Sequence, residues 1–154
     1  MPHLQKFPES ITCGIPFQLA KENRKFIYRI VRSGARAREY EDALLWLEEA
    51  GLIYRIFNIS KPGLPLSAYQ DVSAFKVYAC DCGLLRRLAK LSPEIILSGN
   101  AGYTEFKGAL AENAVLQSLV TQNDAKPYYW SSENRAEVDF VLQIQTDIIP
   151  VEIK

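Results

Sequence analysis

The chain has 154 residues, 48% hydrophobic and 23% charged, enough for one compact core or two small lobes. Lysine plus arginine and aspartate plus glutamate each number 18, so bulk charge gives no argument for a nucleic-acid partner. No apolar run approaches the roughly 20 residues that span a bilayer and no signal peptide is visible, which points to a cytoplasmic protein without membrane contact.

Residues 15–33 read as a helix, with Phe17, Leu19, Ala20, Phe26, Ile27, Ile30 and Val31 as its apolar material and Pro16 suited to a first turn. The same stretch begins a basic cluster: Lys21, Arg24, Lys25, Arg29, Arg32, Arg36 and Arg38 against the single acid Glu22. That pattern has two readings, a solvated helix face or a set of phosphate contacts through Arg29, Arg32, Arg36 and Arg38 to DNA or RNA. A second helix is predicted over residues 37–50, where Tyr40, Ala43, Leu44, Leu47 and Ala50 recur at helical spacing and Gly51 offers a stop. Residues 52–59 and 74–80 read as strands separated by a loop with Pro62, Gly63 and Pro65, and residues 83–91 as a third helix. Two helices followed by a two-stranded wing are similar to a winged-helix element, although the short helix before the recognition helix is not evident, so a packing or partner-contacting role stands beside DNA reading. Residues 92–103, with Pro93, Gly99, Asn100 and Gly102, form the best linker. They divide the chain into lobes at 1–95 and 96–154.

Cys13, Cys80 and Cys82 suit neither a disulfide framework nor a zinc site, and His3 is the single histidine, so a histidine-based triad is excluded as a reading.

The chemistry-bearing pattern lies in the last third. Residues 106–120 are helical, with Ala109, Glu112, Leu116 and Leu119 on one stripe, so the Glu112 carboxylate falls among apolar residues. A buried carboxylate needs compensation, from a cation or by reaching the flank towards Lys107. In residues 136–142 strict alternation puts Glu137, Asp139 and Val141 on one face and Val138, Phe140 and Leu142 on the other. Residues 145–147 make a turn, and in 149–154 Pro150, Glu152 and Lys154 alternate with Ile149, Val151 and Ile153. Pro150 cannot donate to a ladder and so requires a place without a partner on that side. If the two strands pair, Asp139, Glu152 and Lys154 share a face. Three carboxylates could then hold a hard cation that acidifies water while an ammonium orients it. Glu137 is a further ligand or an ion-pair partner of Arg135 or Lys154.

These residues resemble the PD-(D/E)xK nuclease-like fold, with Glu112 as the helix acid, Asp139 as the strand aspartate and Glu152-Ile153-Lys154 as the (D/E)xK element. A closer likeness is to the uncharacterised C-terminal domain behind the P-loop domain of bacterial and archaeal AAA-family ATPases. It is carried by Lys107 to Asn113, Tyr129-Trp130 with Ala136 to Val141, and Ile149 to Lys154, with support from Gly34-Ala35-Arg36, Tyr40 to Ile53 and Lys76-Val77-Tyr78 leading into Asp81 to Leu85. The resemblance implies an α/β (α+β) chain, a winged-helix-like lobe followed by a truncated nuclease-like lobe. It implies Mg²⁺ or Mn²⁺ at Glu112, Asp139 and Glu152, and catalysis through these residues with Lys154. No G-x-x-x-x-G-K-[ST] loop occurs, so ATP belongs to an absent ATPase domain and the chain reads as a fragment. Two other readings compete with catalysis: a non-catalytic DNA- or protein-binding module that keeps the fold, and a homo-oligomer joined through the unfinished sheet edge at 149–153.

Overall fold

A computed structural model describes residues 14–16, 26, 37–97, 104–132 and 136–153. Helix α1 (Ala37–Glu49) buries Tyr40, Leu44 and Leu47, one stripe at helical spacing. It ends at Gly51, whose φ of 71° lies in the left-handed region, and the turn is closed by Leu52 N–H donating to Leu47 C=O at 3.0 Å. Strand β1 (Ile53–Ile59) follows, then a 3-10 turn at Leu66–Tyr69 and strand β2 (Gln70–Ala79). The two strands are antiparallel, but their register jumps from Phe57↔Phe75 to Asn58↔Asp71. Asp71 Oδ1 fastens this irregularity by accepting from Ser73 N at 2.9 Å and Ser73 Oγ at 2.7 Å. The strand therefore starts four residues before the span read from the sequence, 74–80.

Helix α2 (Cys82–Leu88) is capped by the Asp81 carboxylate, which accepts from Leu84 N at 2.8 Å. The short helix α3 (Pro93–Leu97) occupies part of the segment that composition marks as linker. Helix α4 (Thr104–Gln122) leads to β3 (Tyr128–Ser132), β4 (Ala136–Ile144) and β5 (Asp147–Val151). All five strands form one mixed sheet in the order β2-β1-β3-β4-β5. The joint at its centre is parallel, Asn58↔Tyr129 and Ile59↔Trp130. The strands expected as a wing and those expected as the nuclease-like core are thus neighbours in a single sheet. Pro150 sits on the edge strand β5, where a missing donor is tolerated.

Alternation along β1 and β2 places Arg55 and Val77 on one face and Tyr54 and Tyr78 on the other. Arg55 donates to Glu41 and Glu48 of α1, while Tyr78 reaches Glu112 of α4. Helices therefore cover both faces of this mixed α/β fold. Of the helix read over 15–33, only residues 15, 16 and 26 are described; Ile15 is buried, and Phe26 stacks on Phe75 with ring centroids 5.6 Å apart. Among the described residues no helix is long and apolar enough to cross a membrane.

Candidate functional site

Helix α4 presents Ala109, Glu112, Asn113 and Leu116 to the sheet, all buried. The sequence stripe thus holds, and Glu112 is 1% exposed. Its compensation comes from β2. Lys76, itself 1% exposed, places its ammonium 3.4 Å from Glu112 Oε1, and the Tyr78 hydroxyl donates to the same oxygen at 2.7 Å. The Lys76 ammonium also donates to Glu137 Oε1 and lies 4.7 Å from the centroid of the Tyr129 ring. Lys107, the local alternative, is exposed.

Glu137 reaches this cluster because β4 does not keep strict alternation. The pairs Tyr128↔Val141 and Trp130↔Val138 match two steps on β3 with three on β4, so one extra β4 residue lies between Val138 and Val141. A bulge of this kind resets which face each side chain occupies. Glu137, opposite Ser131, falls on the face of Tyr129 and Lys76, and Phe140 returns to that face beyond the bulge, 5.7 Å from the Tyr78 ring. The common face predicted for Glu137, Asp139 and Val141 does not form.

Asp139 lies within the bulge. Its Oδ2 accepts from Ile153 N at 2.9 Å, a side-chain bond that takes over one step beyond the last ladder pair, Phe140↔Val151. Register brings Glu152 towards Asp139, but Glu152 is exposed. Among the described residues no three histidine, cysteine, aspartate or glutamate side chains gather closely enough to hold a metal ion. The structure therefore joins Glu112 with Glu137, through Lys76, and does not assemble Glu112, Asp139 and Glu152 into one ligand set. Lys154 and Arg135 lie outside the described residues, as do Arg29, Arg32 and Arg36; Arg38 is in α1, and its side chain is outside them too. Cys80 and Cys82 are free and half-buried, and burial pushes both thiols up, away from the thiolate.

The family model of a domain of unknown function, DUF8612, matches residues 8–95, more than half of the chain. The chain belongs to the DUF8612 family. A second model, the domain of unknown function DUF4143, matches residues 107–154. No curated protein and no solved structure matches the chain. Lys76 and Tyr78 lie in the DUF8612 segment, and Glu112 and Glu137 in the DUF4143 segment, so the buried ion pair ties the two matched segments together.

The cluster has a pH signature. Burial, with the charges of Glu137 and Asp71 adding, pushes the Tyr129 phenol up to about 12. Between about pH 10 and about pH 12 the unfolded chain loses this proton while the folded chain keeps it, so the folded state binds more protons and stability falls as pH rises. Urea midpoints measured across that window are expected to decline less steeply in Tyr129→Phe. Equal slopes in the two proteins would show that Tyr129 titrates normally.

Proposed function

We propose that this DUF8612 chain is the C-terminal module of an AAA-type P-loop ATPase, a protein-docking domain whose nuclease-like core is catalytically silent. One observation carries the reading: the buried helix acid Glu112 is held by the Lys76 ammonium and the Tyr78 hydroxyl. A carboxylate engaged in this way is a structural tie between α4 and β2. The link to an ATPase is supported by the match of residues 107–154 to DUF4143, a domain often found in AAA-ATPase-associated proteins. A protein partner, rather than nucleic acid, is supported by the outward face of α1. There Leu45 and Trp46, 45% and 55% exposed, stand between the exposed acids Asp42 and Glu49. Such a face offers apolar area to a protein.

The reading is tested by calorimetric titration of Mn²⁺ into the chain and its Asp139→Ala variant, with cleavage of DNA and RNA assayed in Mg²⁺ and Mn²⁺. It expects neither stoichiometric binding nor nicking. Binding that is stoichiometric and lost in Asp139→Ala, or nicking that disappears in that variant, would overturn it in favour of a metal-dependent phosphodiesterase.

A further inference from the structure

Strand β1 is flanked unevenly. On one side β2 runs beside its whole length, from Ile53↔Ala79 to Ile59↔Gln70, whereas on the other β3 pairs only with Asn58 and Ile59. The ladder fixes where the uncovered main-chain groups point. Cys80 N–H donates to Leu52 C=O at 3.0 Å, so residue 52 turns its main chain to β2, and alternation turns residues 54 and 56 the same way. Arg55 therefore directs its N–H and C=O away from β2, to the side where no described strand residue pairs with it. The sequence accounts for the gap. Continuing the parallel register backwards from Asn58↔Tyr129 sets Pro127 opposite Ile56, and proline has no N–H to give to the Arg55 carbonyl. Before Pro127 the chain parts from β1. A cavity of about 330 Å³ lies there, lined by Tyr54, Arg55 and Ile56, by Glu48 of α1, by Val120 of α4 and by residues 123–127.

We infer that this notch is a peptide-binding site, in which an extended segment of a protein partner lies along β1 as a short extra strand and pairs with both main-chain groups of Arg55. The inference deepens the protein-docking reading and rests on it. Main-chain pairing suits the notch better than charge does. The Arg55 guanidinium is already held by Glu41 and by Glu48, the latter at 2.7 Å, and the other rim charges, Asp124 and Lys126, are of opposite sign, so the lining selects no anion. The volume is at the lower end for a ligand pocket, which gives room for a few extended residues and not for a folded partner. Strand alternation then assigns the side chains. The peptide residue opposite Arg55 turns to the α1 face beside Glu48, and its two neighbours turn to the apolar wall of Tyr54, Ile56 and Val120. The occupant is thus an extended peptide with apolar residues on either side of a small polar one.

The probe is the blocked peptide acetyl-Val-Ser-Val-amide, read by hydrogen exchange at the Arg55 amide. In the peptide-free chain that amide is expected to exchange fast, and the peptide at ten times its Kd should slow it about ten-fold. The same peptide with its amide nitrogens methylated cannot donate to the Arg55 carbonyl and should give no protection. Ala125→Trp, which sets a ring into the cavity from its loop wall, should abolish the protection given by the unmethylated peptide. The comparison of the two peptides uses the parent chain alone and decides the matter if Ala125→Trp does not fold. Absence of protection up to the solubility limit of the peptide, equal protection by the methylated peptide, or protection that persists in a folded Ala125→Trp overturns the inference. So does an Arg55 amide that is protected without peptide in proportion to chain concentration, the mark of a second copy in the notch. Failure of the silent-core docking reading has a different signature, namely Mn²⁺ binding or cleavage by the parent that depends on Asp139.

Discussion

Lys76→Met is expected to lower the free energy of unfolding by about 3–5 kcal/mol, because breaking a buried ion pair strands the remaining charge. The stranded group is Glu112, sealed under α4 with the Tyr78 hydroxyl still donating to it. Glu137, being partly exposed, turns to water and contributes less. The pair as a whole behaves differently from either half. Desolvating two charges offsets most of their attraction, so Lys76→Met combined with Glu112→Leu is expected to recover most of the loss. Urea denaturation of the parent, both single variants and the double variant gives the coupling directly. A loss below about 1 kcal/mol in Lys76→Met would mean that the pair behaves like an exposed surface bridge, contrary to its burial.

Asn113→Ala is the second large effect, expected to cost about 2–4 kcal/mol. The Asn113 side chain meets both main-chain groups of Ala79: its Oδ1 accepts from Ala79 N at 3.0 Å and its Nδ2 donates to Ala79 O at 3.1 Å. Asn113 is wholly buried and Ala79 nearly so, so truncation leaves a donor and an acceptor without water to replace the amide, each costing roughly 1–3 kcal/mol. Asn113→Asp should be no better, because it restores the acceptor while setting a carboxylate against the Ala79 carbonyl. Hydrogen exchange at the Ala79 amide checks this, with protection expected to fall in both variants. Unchanged protection would show that Ala79 finds another partner.

Helix α4 and its buried stripe could be read from the chain because helical spacing is a local property, and Glu112 inside that stripe announced a need for compensation. The compensating residue also leaves a signal in the sequence. Lys76 interrupts an apolar run, Ala74-Phe75-Lys76-Val77-Tyr78-Ala79, and a lysine in such a strand requires an acid partner. What the chain does not reveal is which acid. Glu112 is 36 residues away and Glu137 is 61, and their meeting depends on sheet order. The phase of β4 likewise depends on pairing between distant segments. Alternation from 136 to 142 is sound locally, but the bulge arises from pairing with β3 and moves Glu137 to the face of Lys76. Strand β3 itself is a five-residue segment, Tyr128-Tyr129-Trp130-Ser131-Ser132, whose aromatic content favours a strand but whose brevity hides any period. The short α3, by contrast, lies where Pro93 and the glycines beyond it give the composition of a connector.

The parallel joint at the centre of the sheet has a consequence for how the chain comes together. The β1–β2 ladder and the β3–β4–β5 meander each pair strands close in sequence, whereas Asn58 must find Tyr129 across the whole intervening chain. Closing a long loop carries an entropic cost that nearby pairings avoid, so this seam carries the largest loop-closure cost in the sheet, and without it neither half has its inner edge covered. A piece confined to either matched segment would keep that edge permanently, with unpaired amides and carbonyls open to any strand it met. The two family models therefore divide a text that the polypeptide reads as one word.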